Sequence, residues 1–334
     1  MQYFLGIDSG GSKAAYVLID EEGATLSLHL DVGYNRTADP TDVTVGQISA
    51  GIQKCLASSP GPINLAQISG ACIGLSYYGE LSDKDAEITA ALKEVLGEVG
   101  CYFTNDCEVA WAGSLVGKPG VNIVAGTGAM AYGQNESGTA ARAGGWNHFF
   151  SDEGSCYWLG RRAMELFSKE ADGREPRGPL YDIVYQAFAL GNDYEFIVRM
   201  EQDYIGSRRK VAELQLLLEA AAAQGDLAAV ALYEEATDEL FTDIATVAAT
   251  LGLLEGGFPV SYSGGLFRSG SQDARAVAAK EKYVVASLRK KVGALGATLQ
   301  EPLLEPWQGA ALCAIREFCP EALNSATANL LQNT

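Results

Sequence analysis

Histidine is nearly absent from this chain of 334 residues, which contains only His29 and His148. The seven cysteines form no CxxC pair, and most of them lie in apolar segments, as reduced core cysteines do in cytosolic proteins. Zinc and iron–sulfur sites need clustered histidine or cysteine ligands, so neither is indicated. Because the cysteines resemble reduced core residues, we expect a cytoplasmic protein.

Basic residues are also scarce, with 24 Lys and Arg against 42 Asp and Glu and a formal net charge of −18. This charge repels nucleic acids and anionic membranes, so neither is expected as a partner. The two densest basic clusters, Arg208-Arg209-Lys210 and Arg289-Lys290-Lys291, are interpreted as solvated helix faces. No segment has the roughly 18 consecutive apolar residues of a membrane span, and the N-terminus resembles no export signal.

Glycine, in contrast, is abundant, and a glycine-rich turn lies close to the N-terminus. An apolar run ends at Asp8, a Ser-Gly-Gly-Ser turn follows, and a second apolar run begins at once, which predicts two strands joined by a hairpin. Backbone N–H groups in such a turn can bind phosphate, and Asp8 is placed to hold a hydrated divalent cation such as Mg²⁺. The candidate phosphate-binding residues are Gly10, Gly11, Ser12 and Lys13. An ordinary Gly-Gly hairpin would show the same residues.

The same strand, turn and strand pattern returns about 118 residues later, where Gly126-Thr127-Gly128 separates two further apolar runs. Between the two copies, predicted strands and amphipathic helices alternate, which indicates an α/β fold. Residues 151–254 read as largely helical, and a late strand begins at Pro259. The repeat predicts two similar domains that face each other.

Five segments, taken in chain order, resemble the superfamily of sugar kinases, actin and Hsp70-like ATPases. They are Gly6–Lys13 and Ile123–Gly128 (phosphate motifs), Thr104–Asp106 and Pro306–Leu312 (connecting segments) and Tyr262–Ser269 (adenosine motif). The resemblance implies two actin-like (ribonuclease H-like) domains, each a mixed sheet flanked by helices, with a cleft for ATP and sugar between them. The implied domains are residues 1–115 plus about 309–334, and residues 116–308 with a helical insertion.

Within this superfamily, the stretch Gly144–Trp158 (GGWNHFFSDEGSCYW) is similar to the sugar-site signature of N-acetylglucosamine kinases in the BadF/BadG/BcrA/BcrD group. The resemblance implies an ATP-dependent enzyme and a homodimer. The sugar-contacting residues that it implies are Asn35, Ser76, Asp106, Gly145, Trp146, Asn147 and Asp152. The nucleotide-contacting residues that it implies beyond the two phosphate turns are Gly206, Gly264, Gly265 and Ser269.

The chemistry of sugar phosphorylation can be argued from the residues themselves. A sugar hydroxyl is a weak nucleophile, so a carboxylate that accepts its proton accelerates the reaction by roughly 10²–10⁴-fold. Asp106, at a predicted helix start, is the candidate base, although an aspartate there could also only cap the helix. Asp152 and Glu153 could likewise be a pair that favours a helix dipole, and Trp146 could be a core aromatic.

The resulting hypothesis is a kinase that converts N-acetylglucosamine to N-acetylglucosamine 6-phosphate. Ala129 and Met130 replace polar residues that eukaryotic members carry, so glucosamine and N-acetylmuramic acid stay open as substrates. A rival from the same group is an ATPase activator of an acyl-CoA dehydratase or reductase, which holds an iron–sulfur cluster through cysteines. A third possibility is a non-catalytic sugar sensor, against which the presence of Asp106 argues.

Overall fold

The chain divides into two compact units in the computed structural model, which describes residues 1–11, 13–34, 36–61, 63–269 and 272–333. The first unit comprises Met1–Pro119 and Glu301–Thr334, and the second comprises Gly120–Gln300. Residues 301–308, which the sequence assigns to the second domain, lie in the first unit. There the N–H of Leu303 donates to the carbonyl oxygen of Ser114 at 3.1 Å.

Ten strands and thirteen α-helices form the described part of the chain. The strands are β1 (Tyr3–Ser9), β2 (Lys13–Asp20), β3 (Thr25–Val32), β4 (Ile68–Leu75), β5 (Gly100–Asn105), β6 (Gly120–Ala125), β7 (Ala129–Gln134), β8 (Ala140–Gly144), β9 (Pro259–Ser263) and β10 (Thr298–Leu299). The helices are α1 (Thr41–Ala57), α2 (Ser82–Leu96), α3 (Asp106–Leu115), α4 (Cys156–Asp172), α5 (Pro179–Ala187), α6 (Glu195–Asp203), α7 (Arg208–Glu213), α8 (Gln215–Ala223), α9 (Leu227–Thr250), α10 (Ala274–Lys280), α11 (Ala286–Ala294), α12 (Pro306–Phe318) and α13 (Leu323–Gln332). None of these helices is long and apolar enough to cross a membrane.

The first unit is built on a mixed sheet with the strand order β3-β2-β1-β4-β5. Strands β1 to β3 are antiparallel, whereas β4 runs parallel to β1 and β5 runs parallel to β4. The carboxyl ends of β1, β4 and β5 therefore meet at one edge of the sheet. Asp8, Ser76 and Asp106 lie at this edge, where open α/β sheets bind their ligands.

The two faces of the first sheet pack against different helices. Leu5 and Ile7 of β1 pack in a core that includes Ile48 of α1 and Leu92 of α2. Gly6, between them, faces α12, and a Cβ atom there would lie 2.5 Å from the backbone nitrogen of Ala311. Because side chains alternate along a strand, Leu5 and Ile7 face α1 and α2, whereas Gly6 on the opposite face lets α12 approach the strand closely.

Helices α3 and α12 cross at glycines. A Cβ atom on Gly309 would collide with the carbonyl oxygen of Val109, and one on Gly113 would lie 2.5 Å from the carbonyl oxygen of Glu305. The absence of a side chain at these two glycines therefore lets the helix backbones approach closely. Helix α3, which begins at Asp106, is thereby held firmly against the first sheet.

The second unit repeats the connectivity of the first on a sheet of order β10-β9-β6-β7-β8. Strands β6 to β8 are antiparallel, and β9 and β10 continue the sheet in parallel. The repeat inferred from the two glycine turns is thus confirmed at the level of topology. Helices α4 to α9 form an insertion between β8 and β9, and Leu240 and Ile244 of α9 share a core with Ile123 of β6.

Candidate active site

Asp106 is the first residue of α3, directly after β5. Its neighbour Asn105 is the N-cap, and the side-chain oxygen of Asn105 accepts a hydrogen bond from the N–H of Cys107 at 3.0 Å. The Asn105 amide also donates to the carbonyl oxygen of Tyr78 at 3.1 Å. The capping role that the sequence left open for Asp106 is therefore taken by Asn105.

The Asp106 carboxylate lies beside the N-terminal hairpin. A Cβ atom on Gly10 would be 3.6 Å from Oδ2 of Asp106. Burial, and then the negative charges of Asp8 and Glu80, raise the pKa of Asp106 from 3.8 to about 7. A carboxyl group with this pKa is matched to proton transfer near neutral pH.

Asp8 lies buried at the end of β1, in the same region of negative charge. Burial raises its pKa to about 6; the positive charge of Lys13 opposes this rise and the negative charge of Glu305 adds to it. A bound cation would stabilise the ionised form of a carboxylate that is buried near another negative charge. Mg²⁺ prefers oxygen ligands of this kind. No group of three or more His, Cys, Asp and Glu in the described residues could hold a metal. Asp8 therefore fits an Mg²⁺ ion that takes one ligand from the protein and the rest from water or phosphate.

Ser76 connects the end of β4 to the end of β1. Its N–H donates to the carbonyl oxygen of Ser9 at 2.9 Å, and its own carbonyl oxygen accepts from the guanidinium of Arg36 at 2.8 Å. Arg36 is buried and pairs with Asp85 at 2.5 Å. No sequence pattern singles out this arginine, which stands alone in a polar loop. Ser12 and Asn35, two further predicted site residues, lie outside the described residues.

In the second unit, the turn at Gly126–Gly128 joins β6 to β7. The N–H of Gly126 donates to the carbonyl oxygen of Gly128 at 2.9 Å, and the carbonyl oxygen of Gly126 accepts from the N–H of Cys156 at 2.8 Å. The first residue of α4 is thus bonded to the turn. Thr127 lies at the tip of this turn.

The loop between β8 and α4 contains the predicted sugar residues Gly145, Trp146 and Asn147. The side chain of Trp146 is 70% exposed, so the alternative of a core aromatic is wrong. The side-chain oxygen of Asn147 accepts from the N–H of Phe149 at 2.9 Å and shapes the loop.

Asp152 ends this loop as a buried carboxylate with a left-handed backbone, φ +59°. It does not begin the following helix, because α4 is capped by Ser155, whose hydroxyl oxygen accepts from the N–H of Trp158 at 3.1 Å. A dipole-stabilising pair at residues 152 and 153 is therefore not what the structure shows. Few non-glycine residues adopt this backbone region, and aspartate is one of those that do so more often.

Arg208 forms an ion pair with Asp152, with Nη2 2.6 Å from Oδ2. Burial raises the pKa of Asp152, and Arg208 and the N–H of Ala129 act against this rise. A Cβ atom on Gly128 would lie 2.8 Å from Oδ2 of Asp152 and 2.9 Å from Nη2 of Arg208, so the ion pair packs on the glycine turn. The interpretation of Arg208 as part of a solvated helix face is wrong, although its neighbour Arg209 is 71% exposed.

The predicted adenosine motif follows β9 and lies against the same turn. Gly265 begins a 3₁₀ turn. A Cβ atom on Gly126 would be 3.8 Å from the backbone nitrogen of Gly265. Gly264 approaches the carbonyl oxygen of Ala125 so closely that a Cβ atom there would collide with it. The hydroxyl of Ser269 donates to Glu219, a residue that sequence reasoning missed.

Glu219 pairs with Lys280 at 3.0 Å, and both side chains are buried. Gly206, the remaining predicted nucleotide residue, lies shortly before α7 and has open space where a side chain would stand. In the second unit, the structure thus brings together the glycine turn, the adenosine motif and Asp152. In the first unit, it brings together Asp8, Gly10 and Asp106.

The sequence profile of the BadF/BadG/BcrA/BcrD ATPase family matches residues 5–314, nearly the whole chain. The chain belongs to the BadF/BadG/BcrA/BcrD ATPase family. Membership agrees with the repeated sheet topology, with a glycine turn between the first two strands of each sheet.

Two relatives are similar in sequence to this member of the family. An N-acetylmuramic acid/N-acetylglucosamine kinase of Clostridium acetobutylicum is 28% identical over 272 residues, which cover 80% of this chain and 87% of that protein. An N-acetyl-D-glucosamine kinase of Dictyostelium discoideum is 29% identical over 272 residues, which cover 79% and 85%. The solved structure of a candidate N-acetylglucosamine kinase from Chromobacterium violaceum has a TM-score of 0.72 at 22% identity and covers 93% of this chain and 98% of that one. The predicted fold of two actin-like units is thereby confirmed.

Proposed function

We propose that the protein transfers the γ-phosphoryl group of ATP to a hexosamine, converting N-acetylglucosamine to N-acetylglucosamine 6-phosphate. The observation that carries the proposal is the position of Asp106 beside Gly10, with a pKa raised to about 7. A proton acceptor for a hydroxyl group then lies next to a turn suited to phosphate. The names of the relatives from Clostridium acetobutylicum and Dictyostelium discoideum support the choice of sugar.

In the proposed reaction, Asp106 accepts the proton of the sugar 6-hydroxyl as its oxygen attacks the γ-phosphorus. The bond from the sugar oxygen to phosphorus forms, the bond from the γ-phosphorus to the bridging oxygen breaks, and ADP leaves with that electron pair. Little covalent chemistry is required of the protein, so its remaining work is positioning and charge neutralisation. Backbone N–H groups at Gly10, Gly11 and Gly126–Gly128 are assigned to the β- and γ-phosphates.

Asp8 would hold Mg²⁺ in this scheme. The buried carboxylate and its raised pKa support the assignment, since a cation would offset the charge of Asp8 and of nearby Glu305. When bound, Mg²⁺ neutralises phosphate charge and orients the triphosphate. Lys13 is assigned to the same phosphates because it opens β2 directly after the hairpin turn.

The loop from Gly145 to Asp152 is assigned to the sugar. The Asp152 carboxylate would accept hydrogen bonds from ring hydroxyls, and the exposed indole of Trp146 offers an apolar surface for one face of the ring. Ser76 and Asn35 are assigned to the sugar from the first unit. The adenosine is assigned to Gly206, Gly264, Gly265 and Ser269.

A panel of sugars tests the proposal directly. ADP release would be measured with N-acetylglucosamine, glucosamine, N-acetylmuramic acid and glucose, each over a range of concentrations. We expect the highest kcat/KM for N-acetylglucosamine. The proposal is wrong if no sugar raises ADP release above the rate of ATP hydrolysis without sugar. A higher kcat/KM for N-acetylmuramic acid, which the Clostridium acetobutylicum relative is named for, would retain the reaction and change the substrate.

The rival role as an activator with an iron–sulfur cluster has less support. Such a cluster needs cysteines that can reach a subunit surface, whereas six of the seven thiols are buried and Cys101 is half-buried. Absorbance of a cluster in anaerobically purified protein would restore this alternative.

A homodimer is also proposed. Tyr194, Ile197 and Val198 at the start of α6 are exposed at helical spacing and form an apolar strip on the second unit. Exposed strips of this kind favour contact with a second copy of the chain. Light scattering should give twice the mass of the monomer, and a monomer at micromolar concentration would contradict the proposal.

A further inference from the structure

Arg208 touches two parts of the candidate site at once. Its Nη2 is 2.6 Å from Oδ2 of Asp152, and the same atom would be 2.9 Å from a Cβ atom on Gly128. Arg208 is the first residue of α7, whose N-cap Ser207 accepts from the N–H of Lys210 at 3.4 Å. One guanidinium therefore contacts both the end of the sugar loop and the second phosphate turn.

The surroundings of Asp152 explain why a cation is needed there. Glu153 lies in the same segment, and the charge of Asp152 also acts on Asp243 of α9, whose pKa is raised to about 7 by burial and by neighbouring carboxylates. A Cβ atom on Gly144, in the same loop, would collide with Oδ2 of Asp243. His148 contributes little positive charge, because burial and Arg208 keep its pKa below the usual value. Without Arg208, Asp152 would be a buried carboxylate among other carboxylates.

Such a carboxylate would bind a sugar poorly. A buried and unpaired carboxylate takes up a proton instead of remaining ionised, and a protonated group offers weaker acceptors to hydroxyls. It would also lose its fixed orientation. The planar fork of an arginine holds a carboxylate through directed hydrogen bonds, which the single charge of a lysine does not reproduce.

We propose that Arg208 is a positioning residue for the sugar, which holds the Asp152 carboxylate in one orientation against the turn at Gly126–Gly128. Asp152 matters here as a ligand of the sugar, so the inference rests on the proposed function. It goes beyond that function by assigning a role in sugar binding to an arginine that lies two residues after Gly206, a predicted nucleotide-contacting residue. The ion pair of Arg208 and Asp152 thus connects the loop at Gly145–Asp152 to the turn at Gly126–Gly128.

Three variants test the assignment. Arg208→Gln removes the charge, Arg208→Lys retains it without the fork, and Arg209→Gln is the matched control. Arg209 stands next in the chain, is largely exposed and approaches only within 3.8 Å of Glu213, one turn away on α7. Steady-state kinetics with N-acetylglucosamine and ATP would be measured between about pH 6 and about pH 8, a range in which a buried carboxylate can titrate.

For Arg208→Gln, we expect the KM for sugar to rise about tenfold or more, because a charge-assisted hydrogen bond is lost. The rise should be larger at pH 6 than at pH 8, since loss of Arg208 removes an opposing charge, raises the pKa of Asp152 further and favours its protonated form at the lower pH. The KM for ATP should change by about threefold or less, since the backbone of the turn is retained. Arg208→Lys should recover part of the affinity, and Arg209→Gln should match the wild type.

A wild-type KM for sugar in Arg208→Gln at both pH values would overturn the inference, as would an equal loss in Arg209→Gln. If Arg208→Gln does not fold, Arg208→Lys decides: an unchanged sugar KM in that variant would mean that the fork has no role. A failure of the proposed function looks different, because the wild type itself would then phosphorylate none of the sugars.

Discussion

Replacing Asp106 with asparagine should strongly reduce turnover and at the same time stabilise the fold. Asp106 has a pKa raised from 3.8 to about 7, chiefly by burial. A carboxyl with such a pKa costs the folded state up to about 4 kcal/mol when it is ionised, because each pKa unit corresponds to about 1.36 kcal/mol. An asparagine avoids the charge but is still partly desolvated, so we expect a gain of about 2 to 4 kcal/mol at pH 8.

The sign of this effect depends on pH in a defined way. The folded protein binds the Asp106 proton more tightly than the unfolded chain does, so wild-type stability falls as the pH rises from about 4 to about 7. The Asp106→Asn variant lacks this loss. The two proteins should therefore be similarly stable near pH 4, and the variant should become the more stable one as the pH approaches 8.

Urea unfolding followed by circular dichroism at several pH values measures the difference. Asp172→Asn is the control, because the exposed Asp172 has its pKa lowered by a hydrogen bond from Arg174, and its loss should bring no gain in stability. In the same preparations, Asp106→Asn should lower kcat by roughly 10²–10⁴-fold with the KM for ATP nearly unchanged. If Asp106→Asn is no more stable than the wild type at pH 8, the reasoning that links burial of Asp106 to its role as base is refuted.

Three further substitutions have defined outcomes. Gly128→Ala would place a methyl group 2.8 Å from Oδ2 of Asp152, and kinetics should show the KM for sugar raised about tenfold or more, whereas a wild-type KM would refute the packing of the ion pair on the turn. Lys280→Met leaves the buried Glu219 unpaired and should cost about 3 to 5 kcal/mol in urea unfolding, whereas the double change with Glu219→Leu should recover most of it; equal losses would contradict this. Gly309→Ala forces α3 and α12 apart and should cost about 1 to 3 kcal/mol, so an unchanged midpoint would contradict the close crossing.

Much of the fold can be predicted from the sequence, because its strands are continuous apolar runs with clear ends. The run Ile68–Leu75 predicts a buried strand, and β4 has these bounds. The repeat of a glycine turn between two apolar runs predicts two related sheets, and both have the same connectivity. Strand β10 has only two residues, Thr298 and Leu299, and is too short to produce an alternating pattern.

The candidate site was less accessible to sequence reasoning, because its contacts join distant positions. Arg208 and Asp152 are 56 residues apart, and Arg208 stands in a run of three basic residues that would look alike on a solvated helix. Only the path of α7 decides which of them faces a buried carboxylate. Glu219 and Lys280 were missed for the same reason, since each reads as an ordinary surface charge on an amphipathic helix.

The central claim is that Asp106 activates the 6-hydroxyl of N-acetylglucosamine for attack on ATP. Phosphorus NMR of the reaction mixture tests it, with N-acetylglucosamine and its 6-deoxy analogue as paired substrates. We predict a 6-phosphate ester from N-acetylglucosamine with the wild type, no ester from the 6-deoxy sugar, and almost none from either sugar with Asp106→Asn. A phosphate ester on the 6-deoxy sugar, or wild-type ester formation by Asp106→Asn, would contradict the account.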